Sequence, residues 1–467
     1  VRRLSASIEP MLQGLPLPDG IAFRGLARAD LPAILAALTD WHPDIAIGEE
    51  RRLVTAAFYE EHASFVGEDD DLEARPVRVA LLRQGEELVG ILVLEYDAAE
   101  HALIGLLSAV SPRKRGCGLG RALIRADEIL ARAAGAHVVY GFAELDNLPQ
   151  GASLEREGRH LYAIIPDCEV RRFAGGVTKY VPEGVFLKVL LPPEELLWPD
   201  PADLLPRTAA LFGMVESLEA AASVQFGACP PAALPPIGPS VAALVAARPV
   251  DTWPDVAVLA REIDLPPGCS VRQLRREDIP RVISMFRSSC CDVAAELTSA
   301  SFYEEVALAG EDQRIAGRPW HVFTVERDGE LVGVPYSFYD SQAHTLRIGP
   351  GDIDPQDRHQ RCSAQIIRLS VLLARAIGAE AVVTRATLSH RRAQIAAERA
   401  GLCLWGLIPA SERVIVGPGV IKRGFKAFYG VSLVPPEQSR WPTLVSLPPH
   451  RAAWARFVRG EASELTS

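Results

Sequence analysis

The stretch from Leu106 to Asp127, LLSAVSPRKRGCGLGRALIRAD, holds the residues whose types and spacing point most directly to chemistry. An apolar run stops at Ser111-Pro112. A basic loop with glycines at 116, 118 and 120 follows, and then Leu119, Leu123, Ile124 and Asp127 recur with helical period. A strand, a glycine loop and a helix N-terminus in that order form an anion site. Unpaired backbone N–H groups and the positive end of the helix dipole converge on whatever lies over Arg115 to Gly120. Glycines let a phosphate approach the backbone with no Cβ in the way. Arg113, Lys114, Arg115 and Arg121 add positive charge. Any one of them alone is best explained as part of a solvated basic face, but four around three glycines favour an anion. Cys117 sits in the same loop, close to a helix N-terminus that lowers a thiol pKa.

The chain that must position this loop has 467 residues, enough for two or three domains, and its 48% hydrophobic and 23% charged residues mark it as globular. No apolar run reaches the roughly 18–20 residues of a membrane span. The first residues, VRRLSASIEPMLQG, are basic without an apolar core, so no signal peptide, no membrane partner and a cytoplasmic location are expected. A net charge of −10 argues against a nucleic-acid partner, for which a basic stripe is the usual footprint. Basic residues are almost all Arg, which together with abundant Ala suggests a GC-rich bacterial genome. The 8 cysteines form no C-x-x-C pair and none lies near a His at zinc spacing, so free thiols and no metal are expected.

An internal repeat organises the chain. Ala57-Phe58-Tyr59-Glu60-Glu61 returns as Ser301-Phe302-Tyr303-Glu304-Glu305. Tyr96-Asp97 returns as Tyr339-Asp340, Pro112 and Arg115 as Pro355 and Arg358, and Gly158 as Gly401, all at an offset of 243. Each copy reads as a strand and helix (21–38 and 269–286), a partly helical stretch, and two strands joined by a Gly-containing turn (77–97 and 320–340). The strand–loop–helix comes next, followed by a further strand (137–145 and 379–388), a short helix and a final pair of strands. The fold class is therefore α/β in the α+β sense. It comprises two tandem domains, each a mixed, mostly antiparallel sheet flanked by helices. The expected boundaries are 1–195, a helical and Pro-rich linker over 196–255, and 256–467. Within the linker, 204–224 reads as a helix and 229–249 as a semi-rigid Pro-rich connector.

The strand, then Val110, Pro112, Arg115, Gly118 and Gly120 ahead of a helix, then a strand, Asn147 and Gly158, resembles the GNAT (acyl-CoA N-acyltransferase) superfamily. The resemblance covers about 20–195 and 268–436. It implies acyl-CoA as the donor, with the pyrophosphate on the backbone of Arg115, Gly116, Cys117, Gly118, Leu119, Gly120 and Arg121. The pantetheine arm would run along Ser108, Ala109 and Val110, and Asn147 would assist. It also implies direct attack by an amine, which makes Cys117 a loop residue and not a nucleophile. The acceptor is expected to be the amine of a small metabolite. The tyrosine acid usual in the family is missing, since Leu154 stands there; Tyr162, His160 and Ser153 are the nearby substitutes. Glu144 is the first choice for a base, ahead of Glu95 and His101. Surface or structural roles are the competing reading for these residues, and for Asn147 an Asx turn capping the next helix.

In the second copy Arg361 and Ser363 replace the loop glycines, His390 replaces Asn147, and Ala397 stands opposite Leu154. That copy is expected to be structural or substrate-binding. Two other readings remain open at this point: a non-catalytic acyl-CoA sensor, and a tRNA-dependent aminoacyl transferase of tandem GNAT fold. The acidic balance weighs against the second.

Overall fold

The computed structural model describes residues 4, 7–68, 71–216, 239–247, 251–289, 295–349, 352–353, 362–389 and 391–460. The N-terminal half runs α1 (Glu9–Leu12), β1 (Ile21–Gly25), α2 (Leu31–Trp41), α3 (Ala56–His62), β2 (Val77–Gln84), β3 (Glu87–Asp97) and β4 (Ala102–Val110). It continues with α4 (Leu119–Ala133), β5 (Val138–Glu144), α5 (Leu148–Arg156), β6 (His160–Arg172) and β7 (Thr178–Val189). Strands β1 to β4 pair antiparallel in order, β4 pairs parallel with β5, and β7 lies antiparallel between β5 and β6. Side-chain alternation along β2 sorts its residues into two cores. Ala80 and Leu82 join Leu119, Leu123 and Leu130 of α4 on one face. Val79 and Leu81 join Ile34 and Leu38 of α2 and Phe58 of α3 on the other. Helix α4 is thus anchored along its apolar stripe, each buried Leu contributing about 1.5–3 kcal/mol, while its N-terminus stays at the surface.

Two helices follow, α6 (Pro206–Glu216) and α7 (Pro239–Ala247). The expected connector is therefore partly regular. Pro239 is tolerated in a first helical turn, and Val241 is buried in the core with Leu244 packed against it. The part of the expected 204–224 helix beyond residue 216, and the first part of the Pro-rich stretch, lie outside the described residues. The C-terminal half runs α8 (Val256–Leu259), β8 (Cys269–Gln273), α9 (Ile279–Ser289), β9 (Val306–Ala307), β10 (Trp320–Arg327), β11 (Glu330–Val334), β12 (Tyr336–Asp340), β13 (Thr345–Ile348) and β14 (Asp352–Ile353). It ends with α10 (Cys362–Ile377), β15 (Ala381–Thr387), α11 (Arg391–Arg399), β16 (Cys403–Gly417), β17 (Val420–Ser432) and α12 (Pro449–Arg459). Pro335 separates β11 from β12, where the first half has the single strand β3, because proline offers no N–H to the ladder.

Strand register repeats at the spacing seen in the sequence. Ala102 faces Val138 and Thr345 faces Ala381; Val138 faces Val189 and Ala381 faces Ser432. His160 faces Leu187 and Cys403 faces Gly430. Both members of each pair move by 243. Tyr96 and His101, and equally Tyr339 and His344, meet at a turn whose His has positive φ. The halves join where Ala163 of β6 faces Gly406 of β16, two residues that are themselves 243 apart. A Cβ on Gly406 would lie 2.2 Å from that of Ala163 and 2.5 Å from the backbone at Ala163 Cα and Tyr162 O, so position 406 must be glycine. Leu197 N–H donates to Arg423 O at 2.8 Å, and its counterpart Arg440 N–H donates to Tyr180 O at 2.7 Å. Each half's tail is therefore laid on the other half. Among the described residues no helix is long and apolar enough to cross a membrane.

Candidate functional site

The site begins as a gap in the sheet. β3 and β4 pair from Asp97–Ala102 to Gly90–Val110, but Val93 faces Leu107 and Leu94 faces Gly105, leaving Leu106 as an extra residue. Such a bulge bends the strand and increases its twist. β4 and β5 pair only at Ala102–Val138, Leu103–Val139 and Ile104–Tyr140, and no pairing between them follows. The backbone from Leu106 to Val110 thus presents an edge without a strand partner on the β5 side among the described residues. Buried unpaired N–H and C=O groups are costly, so an edge of this kind suits an extended ligand that hydrogen-bonds to it. Under the gap lies an ion pair. Arg159 donates to Asp127 at 2.7 Å, with side chains 2% and 3% exposed. Burial pushes the Asp127 carboxyl up, and Arg159 pulls against that shift. The glycines spare room here, since a Cβ on Gly141 would lie 2.7 Å from Arg159 and one on Gly105 3.4 Å from Asp127.

The glycine loop closes one end of the gap. Gly116 and Gly118 have φ of 83° and 84°, the left-handed region that glycine enters at least cost, and Gly118 is the N-cap of α4. A Cβ at 116, 118 or 120 would meet no atom within 4 Å, so the cradle is open. That fits the diphosphate of CoA, which the N–H groups at the start of α4 would hold. The four basic side chains differ in what they do. Lys114 donates to Gln84 at 2.6 Å. Arg121 and Arg125 of α4 share Glu157, at 2.7 and 2.8 Å. Arg115 reaches back toward Val110 O and Trp41 O at 3.4 and 3.5 Å. Arg113 and Cys117 are exposed.

The residues expected to move protons are not gathered at one point. Glu144, at the end of β5 and so at the mouth of the gap, is ion-paired with Arg171 of β6. Asn147 caps α5, accepting from Gln150 N at 3.4 Å and donating to Gln150 Oε1 at 2.8 Å. Tyr162 is 9% exposed on β6, beside the seam with Gly406, and burial pushes its phenol up to about 12. With β7 between β5 and β6, it stands two strands from the gap edge, about 10 Å at ordinary spacing. Leu154 is buried. Ser153 bonds its own helix at Pro149 O, Glu95 pairs with Arg52 at 3.1 Å, and His101 stacks on His137 at 4.7 Å. One group with no mark in the sequence stands near the loop. His42 follows α2, and burial first, then the charges of Arg115 and Arg171, hold its imidazole below the usual range. Its position is set by three separate elements, which no local pattern records.

The C-terminal half treats the same places differently. β13 and β15 pair at four positions, to Ile348–Thr384, and the Thr384 hydroxyl donates to Ile348 O at 3.1 Å. The Tyr336 ring covers Gly349, where a Cβ would lie 1.8 Å from it. Cys362 and Ser363 begin α10, with the Cys362 thiol buried and pushed up to about 11. Arg358, Arg361 and His390 lie outside the described residues. Among the described residues no cluster of three or more His, Cys, Asp or Glu is arranged to hold a metal ion.

Residues 36–157 match the acetyltransferase (GNAT) family model. A mycothiol acetyltransferase of Corynebacterium glutamicum (strain R) is 31% identical over 153 residues, which is 30% of this chain and 47% of that protein. The chain thus spans about half the length of the curated relative it matches. Among solved structures, the IAA acetyltransferase of Bacillus cereus ATCC 14579 aligns with 36% of this chain and 99% of its own at 16% identity and a TM-score of 0.28. The yncA protein of Salmonella typhimurium, solved with acetyl-CoA, aligns with 37% of this chain and 95% of its own at 22% identity and a TM-score of 0.27.

Proposed function

We propose, from the match of residues 36–157 to the GNAT family model, that the chain is an N-acyltransferase that moves an acetyl or other short acyl group from acyl-CoA to the amine of a small metabolite. The N-terminal half, about 1–195, carries the donor site, and the C-terminal half, about 256–467, is a structural or acceptor-binding copy. The observation that carries this reading is the gap between β4 and β5, closed at one end by an open glycine cradle. Acyl-CoA supplies an activated thioester carbonyl and a thiol leaving group. Gly116 to Gly120 would hold its diphosphate, and the backbone of Ser108 to Val110 would align its arm and polarise the carbonyl. Fixing donor and acceptor in one gap removes much of the entropic part of the barrier. Glu144 is the proposed proton acceptor, being the carboxylate at the mouth of the gap, and Arg171 sets its orientation. Asn147 shapes that mouth as the cap of α5, and Tyr162 is a proton donor only in a conformation that brings its phenol across β7.

The test is turnover of acetyl-CoA with a panel of small amines, followed by thiol release. Amine-dependent release is expected, with Glu144→Gln lowering kcat. The buried Leu154 at the place of the usual acid favours a second reading, a non-catalytic acyl-CoA sensor. CoA binding without turnover on any amine would establish that reading and overturn the first.

A further inference from the structure

The tails that cross between the halves dock at two equivalent places, and the two docks are chemically unlike. Helix α12, from the end of the chain, lies on the N-terminal half. Its Arg451, 1% exposed, donates from Nε to Glu155 of α5 at 3.0 Å and lies over the Phe186 ring at 5.1 Å. His450 meets the same Glu155 oxygen at 2.7 Å. A Cβ on Gly151 would sit 2.4 Å from the Arg451 guanidinium, so α5 is a glycine at the one point where the arginine rests on it. The equivalent positions in the other dock are Arg207, Thr208, Gln394, Glu398 and Tyr429, and the charge of Arg207 acts on Glu398 as His450 does on Glu155. There Gln394 of α11 donates to Asp203 O at 3.1 Å and accepts from Leu205 N at 3.3 Å. Thr208 lies 3.5 Å from the Tyr429 hydroxyl, and Tyr429 donates to Glu398 at 3.4 Å. An arginine lock on a glycine is present only at the N-terminal dock.

The lock connects to the glycine loop through one helix turn. Glu155 and Glu157 stand at the end of α5, and Glu157 holds Arg121 and Arg125 of α4, whose first turn is the anion cradle. We propose that Arg451, a residue of the C-terminal half, is a positioning residue for the acyl-CoA site of the N-terminal half. Through Gly151 and Glu155 it fixes α5, and through Glu157 it fixes the start of α4. The inference rests on the reading of that cradle as the acyl-CoA site. It also gives the C-terminal half a contribution to the donor site that requires no ligand of its own.

The test uses the full chain and CoA itself. Arg451→Met keeps the apolar stem and removes the charge; Thr208→Ala weakens the reciprocal dock and serves as the structural control. CoA affinity by calorimetry and Tm are measured for both. The expected result is that Arg451→Met weakens CoA by about three- to thirty-fold, the usual span of coupling through a packed network. Arg451→Lys should recover part of this, and Thr208→Ala should lower Tm with CoA affinity unchanged. Glu155→Gln cuts the same link from the N-terminal side and decides the matter if Arg451→Met does not fold. Wild-type affinity in Arg451→Met, or in Glu155→Gln where the former is unfolded, overturns the proposal while leaving the site intact. Absence of CoA binding by the wild-type chain overturns the site reading, and the positioning role with it.

Discussion

In the N-terminal half the two parallel central strands part after three pairs, above a buried Asp127–Arg159 ion pair. In the C-terminal half they stay joined for four, Thr384 bonds across, and the Tyr336 ring covers Gly349. The positions equivalent to Asp127 and Arg159 are Ser370 and Leu402, both buried. One backbone plan therefore serves two ends. Where side chains are small along the gap and the charge beneath it is paired, the β4 edge beyond Gly105 has no strand partner on the β5 side. Where a hydroxyl and a ring occupy the same space, the pairing runs one position further, to Ile348–Thr384.

The largest expected effect breaks this contrast at the ion pair. Arg159→Leu leaves Asp127 buried without its partner and should cost about 3–5 kcal/mol of stability. Asp127→Ser with Arg159→Leu installs the pair found in the other half and should lie within about 1–2 kcal/mol of the wild type. Urea unfolding measures both, and a double variant as unstable as the single one would show that the halves are not interchangeable there. The next effect concerns the cradle. Gly118→Glu puts a carboxylate at the diphosphate and a side chain at φ 84°. It should weaken CoA binding by about 100-fold, the sum of an αL penalty and like-charge repulsion. Ser363→Glu, at the start of α10, should leave CoA affinity as it was, and equal losses would place ligand in both halves.

The smallest effect is in the dock of α12. Glu155 is raised by burial, but the hydrogen bonds from His450 and Arg451 outweigh that and hold its carboxyl below its ordinary 4.5. A carboxyl depressed in the folded state gives stability that is whole above 4.5 and is lost as pH falls through the lower folded value. Hydrogen exchange over 148–157 and 449–459 should therefore be protected at neutral pH and should speed up in acid, ahead of the core of β2 and β3. Protection that does not change with pH would remove the charge lock from the dock.

Much of this was legible in the chain. The offset of 243 recurs in the strand registers because insertions between the copies fall outside the sheets. The glycine loop was legible because left-handed φ at an N-cap is nearly confined to glycine. The bulge at Leu106 was not, since register depends on which backbone pairs with which, and Leu106 looks like any strand residue. Glu144 stands at the end of its strand, as the pattern suggests, but its partner Arg171 lies 27 residues further on, over no recognisable motif. Arg451 and Gly151 meet across 300 residues, through a tail that reads as surface covering. His42 likewise acquires its surroundings only when α2, the loop and β6 converge.

The most direct test of the difference between the halves is a crystal structure of the full chain grown with CoA. The diphosphate is predicted to lie within about 3 Å of the backbone nitrogens of 116–120, with the arm along Leu107 to Val110 and nothing between β13 and β15. CoA found only in the C-terminal half, with the β4–β5 gap closed or empty, would contradict the assignment.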